Sequence, residues 1–95
     1  MTASFVAAAK EELEDAIGYY DLQSPGLGFE FAQEIHEGLT RITEFPNSWQ
    51  LIGQRVRRYR LRRFPYGIVY VSRAGQITVL AVMHLHREPG YWKAR

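Results

Sequence analysis

The sequence predicts an α+β fold, a two-layer sandwich in which a short N-terminal strand and a two-helix hairpin precede a three-stranded antiparallel meander, β-α-α-β-β-β. Three observations predict it. Apolar residues recur at helical spacing in two blocks ahead of Pro46, they alternate at period two from Arg55 onward, and proline or glycine falls between the blocks. Residues 1–95 read as one domain, a length that buries roughly 60–70% of the surface an unfolded chain exposes.

Ser4 to Ala8 supplies the short first strand, weakened by its alanines. In the first helix Ala9, Leu13, Ala16, Ile17 and Tyr20 form one stripe, with Glu11, Glu12, Glu14 and Asp15 off it, near the helix start where acidic groups suit the dipole. Ser24 is the expected N-cap of the second helix and Pro25 its first residue. Its stripe is Leu27, Phe31, Ile35, Leu39 or Gly38, and Ile42, and Pro46 stops it near Phe45. Two helices joined this tightly form an antiparallel pair that covers one face of a sheet.

After the turn at Pro46-Asn47-Ser48, Trp49 and Leu51 re-enter the apolar layer. The run from Arg55 to Tyr70 then reads as a hairpin. Period two places Val56, Arg58, Arg60 and Arg62 on one side, and Arg55, Arg57, Tyr59, Leu61 and Arg63 on the other. A strand so charged on both sides is expected at a sheet edge, because an unpaired buried guanidinium is costly. Phe64-Pro65 separates it from Tyr66–Val71, where Tyr66, Ile68 and Tyr70 face one way and Gly67, Val69 and Val71 the other. Ala74-Gly75 is a tight turn. Beyond it Ile77, Val79, Ala81 and Met83 alternate with Thr78, Leu80, Val82 and His84, so this strand is central. The expected order is arginine strand, Tyr66 strand, Ile77 strand, N-terminal strand.

Charge divides the chain at Gln50. Residues 1–50 hold two basic and nine acidic residues, a net of −7, and residues 51–95 hold ten basic residues against Glu88 alone, a net of +9. An acidic face and a basic face follow, the latter suited to nucleic acid or to an acidic protein segment, unless the two halves merely balance one another within the fold. The chain has no cysteine, which removes disulfides and thiolate metal sites and suits a reducing compartment. The N-terminus lacks a secretory leader's basic start and long apolar run, and no stretch spans a membrane, so the expected location is the cytoplasm.

Five sequence words carry a resemblance across nearly the whole chain: Glu12-x-x-x-Ala16-x-x-x-Tyr20, Leu27-Gly28-x-x-Phe31, Val56-Arg57-Arg58, Arg63-Phe64-Pro65-Tyr66-x-Ile68-x-Tyr70, and His84-x-x-Arg87-x-Pro89-x-Tyr91-Trp92. In this order they resemble the ParE/RelE superfamily of toxins from type II toxin–antitoxin, or plasmid stabilisation, systems, with the ParE branch most similar. The words define the fold more than the target. The opening strand is shorter and richer in alanine than that family's usual form. The resemblance implies a toxin that inhibits DNA gyrase by binding and is neutralised by a cognate ParD-like antitoxin. Two alternatives share the fold: a ribosome-dependent mRNA endonuclease of the RelE type, and a non-toxic antitoxin-binding member.

Metal-independent RNA cleavage needs a base, an acid and cations around the phosphorane. His84, His86, Arg63, Arg87 and Tyr91 are the residues that could supply them. His84 reads either as an acid or base or as a hydrogen-bonded structural histidine, and His86 as solvated beyond the strand. The RNA-cleaving branch tends to use lysines on its inner sheet, whereas the only lysines here are Lys10 and Lys93, which argues against cleavage. His36, His84 and His86 fit no usual zinc spacing, and no metal or other cofactor is expected. Candidates for binding target or antitoxin are Arg57, Arg58, Arg60, Arg63, Arg87, Tyr91 and Trp92. The arginines read as contacts or as a solvated strand that blocks aggregation, and Tyr91-Trp92 as a stacking surface or as a lid folded on the core.

Overall fold

The computed structural model describes residues 2–95. Its elements run β1 (Thr2–Phe5), α1 (Ala7–Gln23), α2 (Leu27–Glu44), β2 (Gln50–Gly53), β3 (Val56–Arg60), β4 (Tyr66–Arg73), β5 (Gln76–His84) and a C-terminal 3-10 turn, Tyr91–Ala94. The strands form one mixed sheet in the order β1-β5-β4-β3-β2, with β1 parallel to β5 and the remaining pairs antiparallel. The expected α+β class holds, with four strands after the helices instead of three.

Both helices lie on one face of the sheet. Ala9 and Ala16 of α1, and Phe31, Ile35 and Ile42 of α2, are buried against Tyr59, Leu61, Phe64, Ile68, Tyr70, Ile77, Val79 and Val82. Burying apolar stripes of this kind is the main favourable term in folding. The helix stripes therefore point where their spacing predicts, and Leu39 packs only partly buried at the margin. Gly28 lets the helices approach: a Cβ there would collide with the Ile17 carbonyl oxygen and lie 2.7 Å from Asp21 Cγ, and the Gly28 N–H donates to Asp21 Oδ1 at 2.8 Å. Gly38 does the same for α2 on the sheet, where a Cβ would meet Tyr59 Cε1 at 2.8 Å.

The first strand lies at Thr2–Phe5, ahead of the expected Ser4–Ala8, because the alanines enter α1. Ser24 closes α1, its N–H donating to Tyr20 O at 3.0 Å, and does not cap α2, which starts after Gly26 at φ 89°. The arginine strand is not an edge. β2 pairs outside it, Gln50 with Arg58 and Leu51 with Arg57. The cost that argued for an edge is avoided by pairing: Arg57 Nη1 donates to the Trp49 carbonyl at 2.8 Å and Arg58 Nη2 to Gln50 Oε1 at 3.1 Å, while the aliphatic stem of Arg58 lies across Gly67.

Strict alternation on β5 also breaks. Val69 pairs with Ala81 and Tyr70 with Val79, leaving Leu80 as an extra residue in a β-bulge. The bulge reverses which face each side chain takes. Ile77 and Val79 share the helix face with Val82, whereas Leu80, Ala81 and Met83 lie on the opposite face with Val69. With both sets apolar, the period carries no mark of the reversal. Ala74 at φ 51° and Gly75 at φ 76° form the two-residue turn between β4 and β5, both residues left-handed as a type I′ hairpin requires.

Candidate functional site

The face of the sheet away from the helices carries a second, smaller core. Val69, Ala81, Met83 and Trp92 are buried there, with Ile52, Val56, Leu80, Leu85 and Tyr91 packed against them. The C-terminal turn thus folds Trp92 back as a lid, only 5% exposed.

Glu12 holds this tail. β1 pairs with β5 only from Gln76 to Val79, so the edge of β5 beyond it lacks a strand partner. Glu12 Oε1 accepts the Val82 N–H at 3.1 Å and Arg95 Nη1 donates to the Leu80 carbonyl at 3.0 Å. The two side chains join each other at 2.9 and 3.1 Å. A carboxylate and a guanidinium in fork geometry therefore stand in for the missing strand. Two guanidinium groups meet the Tyr91 ring, Arg87 at 4.0 Å and Arg95 at 4.9 Å from its centroid. Burial, and then the neighbouring Glu12, raises the Tyr91 phenol above its ordinary pKa, and the hydrogen bond to Glu12 raises that of Arg95.

The bulge brings His84 to the helix side, into a cleft of about 300 Å³ lined by Glu12, Asp15, Tyr19, Tyr66 and Arg87 among others. Its ring stands edge-on to Tyr66, centroids 5.1 Å apart, and its Nδ1 accepts the His86 N–H at 3.1 Å. Burial, then Tyr19 and Glu12, raises the Tyr66 pKa. Of the residues read as possible nuclease groups, His84 and Arg87 share this cleft. The Tyr91 hydroxyl is buried, and Arg63 lies outside the cleft, its Nη2 2.7 Å from Glu30 Oε1, a contact that raises its pKa. Among the described residues no three His, Cys, Asp or Glu side chains converge as metal ligands.

Arg57 points to the helix side with Tyr59, and Arg58 to the opposite face, its stem across Gly67. Arg60, two residues beyond Arg58, is exposed. The sequence reading missed Glu34. Buried at 6% exposure, its Oε1 accepts the backbone N–H of Arg62 and, at 2.9 Å, that of Arg63, fixing the chain as it leaves β3. Its signal was a carboxylate on the apolar stripe of α2, three residues after Phe31 and four before Gly38.

Residues 4–89 match the sequence profile described as the ParE toxin of the type II toxin-antitoxin system, parDE. No curated protein sequence matches. Among solved structures, one described as the chromosomal ParDE TA system from P. aeruginosa superimposes with a TM-score of 0.77 at 18% identity, covering 88% of this chain and 95% of that one. At that identity the likeness speaks for the fold. Among the described residues no helix is long and apolar enough to cross a membrane.

Proposed function

The chain belongs to the ParE toxin family of type II toxin–antitoxin systems, and from that premise we propose that it inhibits DNA gyrase by binding it, with no bond-breaking chemistry of its own. Toxins of this family pair with a ParD antitoxin. The antitoxin of this chain neutralises it by occupying its surface.

One observation carries the binding reading over RNA cleavage. The groups a metal-independent nuclease would need are not assembled: Arg63 is held by Glu30, the Tyr91 hydroxyl is buried, and the cleft that joins His84 to Arg87 also holds Glu12 and Asp15. Asp15 brings negative charge close to the imidazole, and among the described residues Arg87 is the one arginine or lysine in the lining of that cleft, its guanidinium 3.9 Å from Glu12. What the molecule presents instead is a sheet with arginines along β3 and, at the C-terminal turn, Arg87 stacked on Tyr91, features suited to a protein interface.

Purified toxin added to gyrase and relaxed plasmid is expected to block supercoiling or trap cleaved DNA, and pre-incubation with the antitoxin is expected to restore activity. Full supercoiling at toxin in large excess over gyrase would refute the target.

A further inference from the structure

Between Glu44 and Glu88 the chain holds eight arginines and no acidic residue. The fold sorts its arginines into two groups. Arg63 pairs with Glu30, and Arg87 and Arg95 pair with Glu12, which ties them to the helical layer. Arg55, Arg57, Arg58 and Arg60, along β3 and the turn before it, take part in no ion pair among the described residues, and neither does Arg41 on α2. Arg41, Arg57 and Arg58 are nonetheless half-buried, and each is fixed by a neutral partner: the Tyr59 hydroxyl, the Trp49 carbonyl and the Gln50 side chain. A half-buried guanidinium without a counter-charge is costly unless an anion meets it, and one such bond leaves most of its donors unused. Arg55 adds a second sign. It is exposed at the β2–β3 turn with φ 63°, a left-handed position that glycine or asparagine takes more cheaply. Charges that served only to block strand pairing would sit on the outermost strand, yet β2, Gln50–Gly53, carries none.

We infer that this arginine tract binds the phosphodiester backbone of duplex DNA directly, whatever the base sequence. Arginines on one face of β3 stand two residues apart, about 6.8 Å, and Arg55 to Arg60 covers about 17 Å of strand. Duplex DNA carries one negative charge per about 1.7 Å of its axis, so the tract faces about ten phosphates, enough for every guanidinium in it. Contacts to phosphates position a protein without reading bases. Because Arg41, Arg57 and Arg58 are already held by neutral partners, little ordering remains to be done on binding. The charge asymmetry of the chain sets the orientation: the acidic helical layer repels the backbone while the β2–β3 side attracts it. This goes beyond the gyrase reading, which asks only for a protein contact. A duplex held by the enzyme would give the toxin a second hold on its target.

The test uses the full chain with no gyrase present. Fluorescence anisotropy of a labelled DNA duplex of about 20 base pairs is expected to report saturable binding, log K falling against log salt with a slope of about −3 to −4, as about four neutralised phosphates require. Arg55→Gln/Arg60→Gln replaces two exposed side chains and leaves the packed ones in place. It is expected to bind at least about fivefold more weakly, with a slope shallower by about 2. Lys10→Gln, which removes an exposed cation from α1, is the control and is expected to stay within about twofold of wild type. No saturable binding at low salt would overturn the inference, as would wild-type affinity and slope in the double variant. Tighter binding to an RNA duplex of the same sequence would overturn DNA as the source of the phosphates, and tighter binding to poly-glutamate would overturn the phosphate contact itself. Supercoiling assays keep the two readings apart. Gyrase blocked by a toxin that does not bind the duplex refutes the DNA contact alone, and duplex binding by a toxin that leaves supercoiling intact refutes the gyrase reading alone.

Discussion

Replacing Glu34 with alanine removes the acceptor of two backbone N–H groups, those of Arg62 and Arg63, from a position only 6% exposed. Hydrogen bonds to a charged group contribute about 1.5–3 kcal/mol each, and donors left without a partner add a desolvation penalty. Arg62 and Arg63 are themselves exposed residues, so water reaches part of the vacated site. A loss of about 2–4 kcal/mol follows for Glu34→Ala. For a domain of this size each kcal/mol moves Tm by about 4–8 °C, so the expected fall is about 10–25 °C. Glu34→Gln keeps a carbonyl acceptor of nearly the same shape and should lose about half as much. Thermal melts of the three proteins followed by circular dichroism measure this. A shift below about 3 °C for Glu34→Ala would refute the view that this carboxylate fixes the β3 exit. Equal losses for the alanine and glutamine variants would show that charge, not the acceptor atom, is what matters.

Gly28→Ala is expected to destabilise by about 1–3 kcal/mol or more, since the new Cβ meets the Ile17 carbonyl and Asp21 where the helices touch, read as a fall in urea midpoint. Ala74→Gly should stabilise by about 0.5–1 kcal/mol by relieving the left-handed conformation at φ 51°, read by the same denaturation. Burial pushes the Tyr70 phenol up to about 12, with the hydroxyl donating to the Pro46 carbonyl at 2.7 Å. A phenol whose folded pKa is raised contributes stability below its unfolded pKa near 10 and loses it as pH rises toward 12. Tyr70→Phe should therefore flatten the fall in stability across that window, and an unchanged pH slope would show the phenol does not titrate with unfolding.

Helices and central strands were legible because each has a period and a partner that agree. The stripe through Phe31, Ile35 and Ile42 and the alternation of Tyr66, Ile68 and Tyr70 meet in one core. The arginine strand misled because the edge argument priced its guanidinium groups as unpaired, while Trp49 and Gln50 supply the partners from a strand only four residues long. The bulge at Leu80 was invisible because apolar residues occupy both registers. That hid the move of His84 to the helix side, beside Glu12 and Asp15. Among the site residues, Tyr91-Trp92 read as a stacking surface or as a lid, and the tail divides them: Tyr91 stacks with Arg87 while Trp92 turns inward. Glu12 and Glu34 carry contacts 70 and 28 residues away in the chain, a separation that local pattern does not report.

Binding without chemistry is tested most directly by expressing His84→Ala/His86→Ala in cells and comparing growth arrest, DNA-damage induction and transcript integrity with wild type. A nuclease that uses either imidazole as acid or base would lose about 10²-fold or more of its activity. The account predicts that the double variant, folded by its thermal melt, still arrests growth and induces the DNA-damage response, and that transcripts stay intact in both strains. Arrest abolished by the double substitution, together with mRNA cut at defined sites by the wild-type protein, would contradict it.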